Sequence, residues 1–139
     1  MKISLRAGEK IYMNGAVFSV DRRVSLQLLN DVTFLLEGHV MQARDATTPL
    51  RQVYFSIQTM IMDPAAAGEI VLSVWRMLGA LVCAEKESAS RARLESVNNL
   101  LRSDRWFEAL REVREMYRAE EAATLSGAGP TGEAAMDGG

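Results

Sequence analysis

The feature that most restricts this chain is a change in hydrophobic period near Ala46. Before it, apolar residues alternate with polar ones. After it, they recur every three to four residues. A period of two places side chains on opposite faces of a strand, and a period of 3.6 places them on one face of a helix. The chain is therefore expected to be α+β: a small antiparallel β unit over 1–45, a bundle of three to four helices over 46–122, and a disordered tail over 123–139.

In the first part, Lys2 to Arg6 alternates, and Gly8-Glu9 reads as a turn. Lys10 to Met13 and Ala16 to Val20 flank Asn14-Gly15. Both turn residues tolerate positive φ, so this is a strong signal for a tight hairpin. Val24 to Leu28 and Val32 to Leu36 complete five short strands, expected to form a meander. In the second part, Thr48-Pro49 has the form of an N-cap followed by proline at the first helical position. Leu50, Val53, Tyr54, Ile57 and Ile61 mark the buried face of that helix. Asp63-Pro64 repeats the start signal before a stripe of Ile70, Val71, Val74, Trp75, Leu78, Leu81 and Val82. No breaker separates Glu85 from Arg93, so the segment carrying Leu94, Val97, Leu100 and Leu101 reads as compatible with a continuation of the same helix. Ser103-Asp104 offers a cap for a last helix with Trp106, Phe107, Leu110, Val113 and Tyr117 on one face, and Arg111 and Glu115 spaced for an ion pair. From Thr124 onward, small residues and scattered acids cannot bury enough surface to order themselves.

With 139 residues, 48% hydrophobic and 24% charged, such a chain can bury a core unaided. A net charge of −2 argues against a surface coated for nucleic acid, so any such function needs a local patch. One cysteine, Cys83, excludes an intrachain disulfide. Its place near an apolar stripe predicts a buried or partly buried inert thiol. The opening residues lack the apolar core of a signal peptide, and the most apolar stretch, Ile70 to Ala84, is short for a bilayer and contains Arg76. The expectation is a cytoplasmic protein with no membrane contact.

Catalytic chemistry finds no footing. His39 is the only histidine and reads as a loop residue; no cofactor or metal is expected. Glu85/Glu87 and Glu120/Glu121 read as solvated faces. Phosphate-binding glycine loops and nucleophile elbows are absent from the sequence. Two features remain. Lys2, Arg6, Lys10, Arg22 and Arg23 make the β unit locally basic. Beside an exposed Tyr12 they would suit single-stranded RNA, whose phosphates need cations and whose bases can stack. The helices also carry a surplus of large apolar side chains, including Trp75, Met77, Trp106, Phe107 and Met116. Most are expected in the core, and Trp75, Trp106, Phe107 and Met116 are candidates for a docking face or a homo-oligomer interface.

Three blocks carry a resemblance: 1–17, Asn30 to Glu37, and Ala46 to Phe55. They occur in the order found in the FlbT family of bacterial flagellar proteins, and the chain resembles that family over about residues 1–120. The resemblance implies a regulator that binds the 5′ leader of flagellin messenger RNA, promoting its decay or blocking its translation, with FlaF as functional counterpart. The apolar surplus of the helices supports an alternative, an adaptor or chaperone whose helical face holds flagellin or a FlaF-like partner, with only indirect effects on the messenger. A shorter likeness lies within this resemblance. Arg6-Ala7-Gly8-Glu9-Lys10-Ile11 is similar to the first strand and turn of the CsrA family of RNA-binding translational regulators. It implies an RNA contact at Arg6. That family's second contact, an arginine on the last strand, has only Arg44 as a loose counterpart here.

Overall fold

A computed structural model describes residues 1–30, 32 and 34–128. It contains strands β1 (Lys2–Leu5), β2 (Lys10–Met13), β3 (Ala16–Ser19), β4 (Val24–Gln27) and β5 (Phe34–Leu36), then helices α1 (Pro49–Met62), α2 (Ala67–Ala84), α3 (Ser88–Arg102) and α4 (Trp106–Ala128). The expected α+β order is present.

The strands do not form a meander. β1 pairs with β4, and β2 lies between β3 and β5, all antiparallel. Register explains the pattern. Leu5 pairs with Val24, and Lys10 pairs with Ser19. The pairing thus resumes in the same register after a gap of four residues on each side, 6–9 and 20–23. β1 to β4 are one long hairpin folded over at its middle. Asn14 and Gly15 close its tip with φ of 52° and 83°, as a primed turn requires. At the fold, Gly8 takes φ 81° and its N–H donates to the Val20 carbonyl at 2.7 Å. Folding the hairpin stacks its two halves around Ile3, Leu5, Ile11 and Phe34.

The three-stranded sheet then has a second apolar face, because strand side chains alternate. Leu35 points opposite to Phe34 and joins the helical core, with half-buried Tyr12 beside it. Phe34 stacks on Phe107 of α4 at 5.5 Å between ring centroids. The molecule is thus layered as β ribbon, β sheet and helices. Between sheet and helices, the Gln58 side chain holds the linker strand-fashion. Its Oε1 accepts from the Met41 N–H at 2.6 Å, and its Nε2 donates to the Met41 carbonyl at 2.9 Å.

Helix ends follow local chemistry. Thr48 Oγ1 accepts from the Arg51 N–H at 3.2 Å, and Pro49 opens α1. Thr48→Ala is expected to lower unfolding free energy by about 1 kcal/mol, read as a shift in urea midpoint. The Asp63 side chain caps nothing; a 3₁₀ turn at Pro64–Ala66 leads into α2 instead. Helices α2 and α3 are separate. Glu85 and Glu87 adopt extended backbone. Glu85 Oε2 accepts from the Glu87 N–H, and the Glu85 carbonyl accepts from Arg91, so side chains replace the helical hydrogen bonds there. Ser103-Asp104 closes α3 rather than opening α4. Asp104 takes φ 60°, its N–H bonds the Leu101 carbonyl, and the Arg105 N–H bonds that of Leu100. This is the paired closure of a Schellman motif, made with aspartate in place of glycine.

Helix α4 runs to Ala128, so 123–128, expected in the tail, is helical. Ala122-Ala123-Thr124-Leu125 extends an existing helix at little cost, since propagation is far easier than nucleation. The rest of the expected tail lies outside the described residues.

Candidate nucleic-acid interface

The β1–β4 ribbon sorts its side chains cleanly. Ile3, Leu5, Val24 and Leu26 face the sheet. Lys2 and Ser4, opposite Gln27 and Ser25, are exposed on the other face. None of the residues on this outer face of the two strands is acidic. At the end where the hairpin folds, Arg6, Arg22 and Arg23 bracket one bend. Their side chains are exposed, those of Arg6 and Arg22 to 79% and 80%. Arg6 lies 3.8 Å from Glu9, and Arg22 lies 3.5 Å from Asp21. The Arg22–Asp21 pair is exposed on both sides and holds little energy, so a phosphate can compete for that guanidinium; Glu9 is only 18% exposed and accepts from the Arg6 N–H at 2.9 Å, so Arg6 keeps a fixed carboxylate beside it.

The other two expected contacts fall elsewhere. Lys10 is exposed on β2, in the second layer, where its N–H donates to Glu37 Oε1 at 2.9 Å. Tyr12 is not exposed as expected: it shares a face of β2 with Lys10, and that face is covered by the helices at Tyr12. Arg44 sits in a 3₁₀ turn, Ala43–Asp45, rather than on a strand.

The ribbon's Lys2–Gln27 end opens onto a cleft of about 620 Å³, whose walls include Met1, Leu29, Arg105, Trp106, Phe107 and Arg111. Arg111 lies over the Phe107 ring at 5.2 Å, and Glu115 is 3.8 Å from Arg93; the expected Arg111–Glu115 ion pair is absent. Arginine stacked on aromatic rings beside a strand end is an arrangement that can hold an unstacked base. The strand pairing that brings β1 and β4 beside the start of α4 is what unites this cleft with the ribbon.

The expected docking residues are largely consumed by the core. Met116 is buried, while Trp75, Trp106 and Phe107 pack half-buried against the helical cluster. Exposed apolar surface lies instead on β3, one edge strand of its sheet, where Val17 and Phe18 are 59% and 51% exposed, at Leu72 on α2, and at Met1 and Leu29 beside the cleft. Cys83 is exposed rather than buried. It stands about 140° around α2 from buried Leu78, at 100° per residue. With its preceding turn, α2 forms a 21-residue helical stretch, Pro64–Ala84, long and apolar enough by length and composition to cross a membrane. Only Ala67, Val74 and Leu78 of α2 are buried, packed in the helical layer; most of the stretch is exposed or half-buried.

The model of the family "Flagellar protein FlbT" matches residues 1–124. A "Probable flagellum biosynthesis repressor protein FlbT" of Brucella ovis is 46% identical over 130 residues, covering 94% of this chain and 84% of that protein. "Probable flagellum biosynthesis repressor protein FlbT 2" of Bradyrhizobium diazoefficiens is 47% identical over 122 residues, covering 88% and 90%. No solved structure matches the chain significantly. A family match spanning the strands and all four helices, with identity at this level, establishes that the chain belongs to the FlbT family of flagellar proteins.

Proposed function

We propose that this protein regulates flagellar synthesis after transcription, as a cytoplasmic repressor that binds the 5′ leader of flagellin messenger RNA and carries out no chemistry of its own. The names of its relatives support the flagellar role. The observation that supports an RNA partner is the ribbon: an outer face free of acids, with Lys2 at one end and Arg6, Arg22 and Arg23 at the other. Ser4 and Ser25 between them, and Gln27 beside Lys2, can meet base edges or sugar hydroxyls, and Trp106 in the adjoining cleft can stack a base. Occupying a leader in this way blocks ribosome access or exposes a nuclease site.

Titration of a labelled flagellin leader, with an unrelated leader as competitor, tests the reading. Each cation that neutralises a phosphate of a single strand contributes about 0.7 to the slope of log affinity against log salt. Arg22→Ala with Arg23→Ala is therefore expected to reduce the slope by about 1.4 and to weaken binding roughly tenfold near physiological salt. Selective binding that survives the double substitution unchanged would overturn this placement of the site.

Exposed Val17 and Phe18 on an unpaired strand edge favour a second reading, in which a FlaF-like protein, flagellin or a second copy of the chain adds to that edge. Such binding resists salt, whereas the ribbon's does not.

A further inference from the structure

Where the segment after β5 meets α4, a recess of about 300 Å³ gathers His39, Asp45, Arg51, Arg114, Arg118 and Glu121. Two of these are already occupied. Arg51 pairs with Glu121, lies over the Tyr117 ring at 5.3 Å and donates to the Asp45 carbonyl at 3.3 Å. Arg114 is different. It is only 9% exposed, lies over the Tyr54 ring at 5.5 Å and donates to the Tyr54 hydroxyl at 2.8 Å. That hydroxyl in turn donates to the His39 carbonyl at 2.6 Å. Among the described residues no carboxylate lies within ion-pair distance of Arg114 or of Arg118.

A guanidinium this buried without a counter-charge is costly. One N–H goes to the Tyr54 hydroxyl, and the other nitrogens are not sealed from solvent, so an anion entering the recess can take them and supply the missing charge. We propose that this recess is an anion site that takes a phosphate group, held by Arg114 from its floor and Arg118 from its rim. The forked guanidinium matches phosphate oxygens two at a time, and two of them balance a dianion. Asp45 is the one carboxylate of the recess left without an arginine partner, so the surplus remains positive. The site is independent of the ribbon, and failure of either leaves the other standing.

His39 reports on the site, because it is the only imidazole in the chain. Its pKa is held below the ordinary 6.5, first by partial burial and then by the positive fields of Arg114 and Arg118. The other groups facing it across the recess are Asp45, Arg51, Tyr54, Tyr117 and Glu121. A bound dianion cancels the arginine field, so the His39 titration midpoint moves upward.

The test is an NMR titration of the full chain with inorganic phosphate, chloride being exchanged to keep ionic strength constant. A saturable shift of the His39 signals and a raised midpoint are expected. Arg118→Ala, on an exposed side chain that leaves folding intact, should weaken phosphate binding roughly tenfold, the loss of about one charge-assisted hydrogen bond. Absence of a saturable response, or equal affinity in the variant, overturns the proposal. Two further arms use one oligoribonucleotide with a 5′-phosphate or a 5′-hydroxyl. Response to both assigns the site to backbone phosphates of a nucleic acid; response to the 5′-phosphate alone assigns it to a terminal monoester.

Discussion

Tyr54→Ala is expected to lower the free energy of unfolding by about 3–5 kcal/mol, the range for deleting a large buried ring. Natural domains hold only about 5–15 kcal/mol, so the variant should sit near the edge of unfolding, and urea denaturation followed by circular dichroism reads this directly. Tyr54 is fully buried on α1 and meets the Tyr117 ring edge-on at 5.4 Å. Its hydroxyl also joins α4 to the linker after β5 by accepting from Arg114 and donating to His39. Tyr54→Phe separates the two roles. It keeps the ring and removes the hydroxyl, and should cost about 1–3 kcal/mol because a buried donor loses its partner. Equal stability of the phenylalanine variant and the natural protein would show that the hydroxyl carries no net stabilisation.

The second large effect is expected at Leu35. Leu35→Ala should cost about 2–5 kcal/mol, again as transfer plus cavity. Its signature should differ from that of Tyr54→Ala. Among the described residues, Leu35 is the one strand residue in the buried part of the helical core, while its neighbour Phe34 belongs to the core of the folded hairpin. Truncation loosens the joint between two cores. Native-state hydrogen exchange should therefore show the strand amides opening at lower free energy than those of α1 and α4. Uniform loss of protection across both would mean that the two cores unfold as one unit.

Local chemistry was legible in the sequence, and long-range geometry much less so. Asn14-Gly15 and Thr48-Pro49 act through their own backbones, and both do what their residue types dictate. The β1–β4 pairing joins residues 19 to 25 positions apart and depends on a fold at Gly8 that leaves the register intact; a run of alternating residues carries no mark of it. The basic residues of the candidate interface could be named, but their division between layers could not. Lys10 and Tyr12 look equivalent to Lys2 and Ser4 until helices cover one face of β2. Arg114 was missed, although a signal existed: it lies four residues after Leu110 and three before Tyr117, inside the buried stripe of α4. Gln58, four residues after Tyr54, shows the same pattern. A polar residue in register with an apolar stripe marks a buried hydrogen-bond network, and both do so here.

One consequence of β3 reaches beyond folding. The strand reads Ala-Val-Phe-Ser, carries no charge and leaves one row of backbone donors and acceptors to water. Natural sheets usually blunt such a margin with lysine, proline or a bulge. Without that protection the margin acts as a template, and its encounters rise with the square of concentration. How densely this protein can be stored or expressed before molecules begin to adhere is then governed by four residues that contribute little to holding it together.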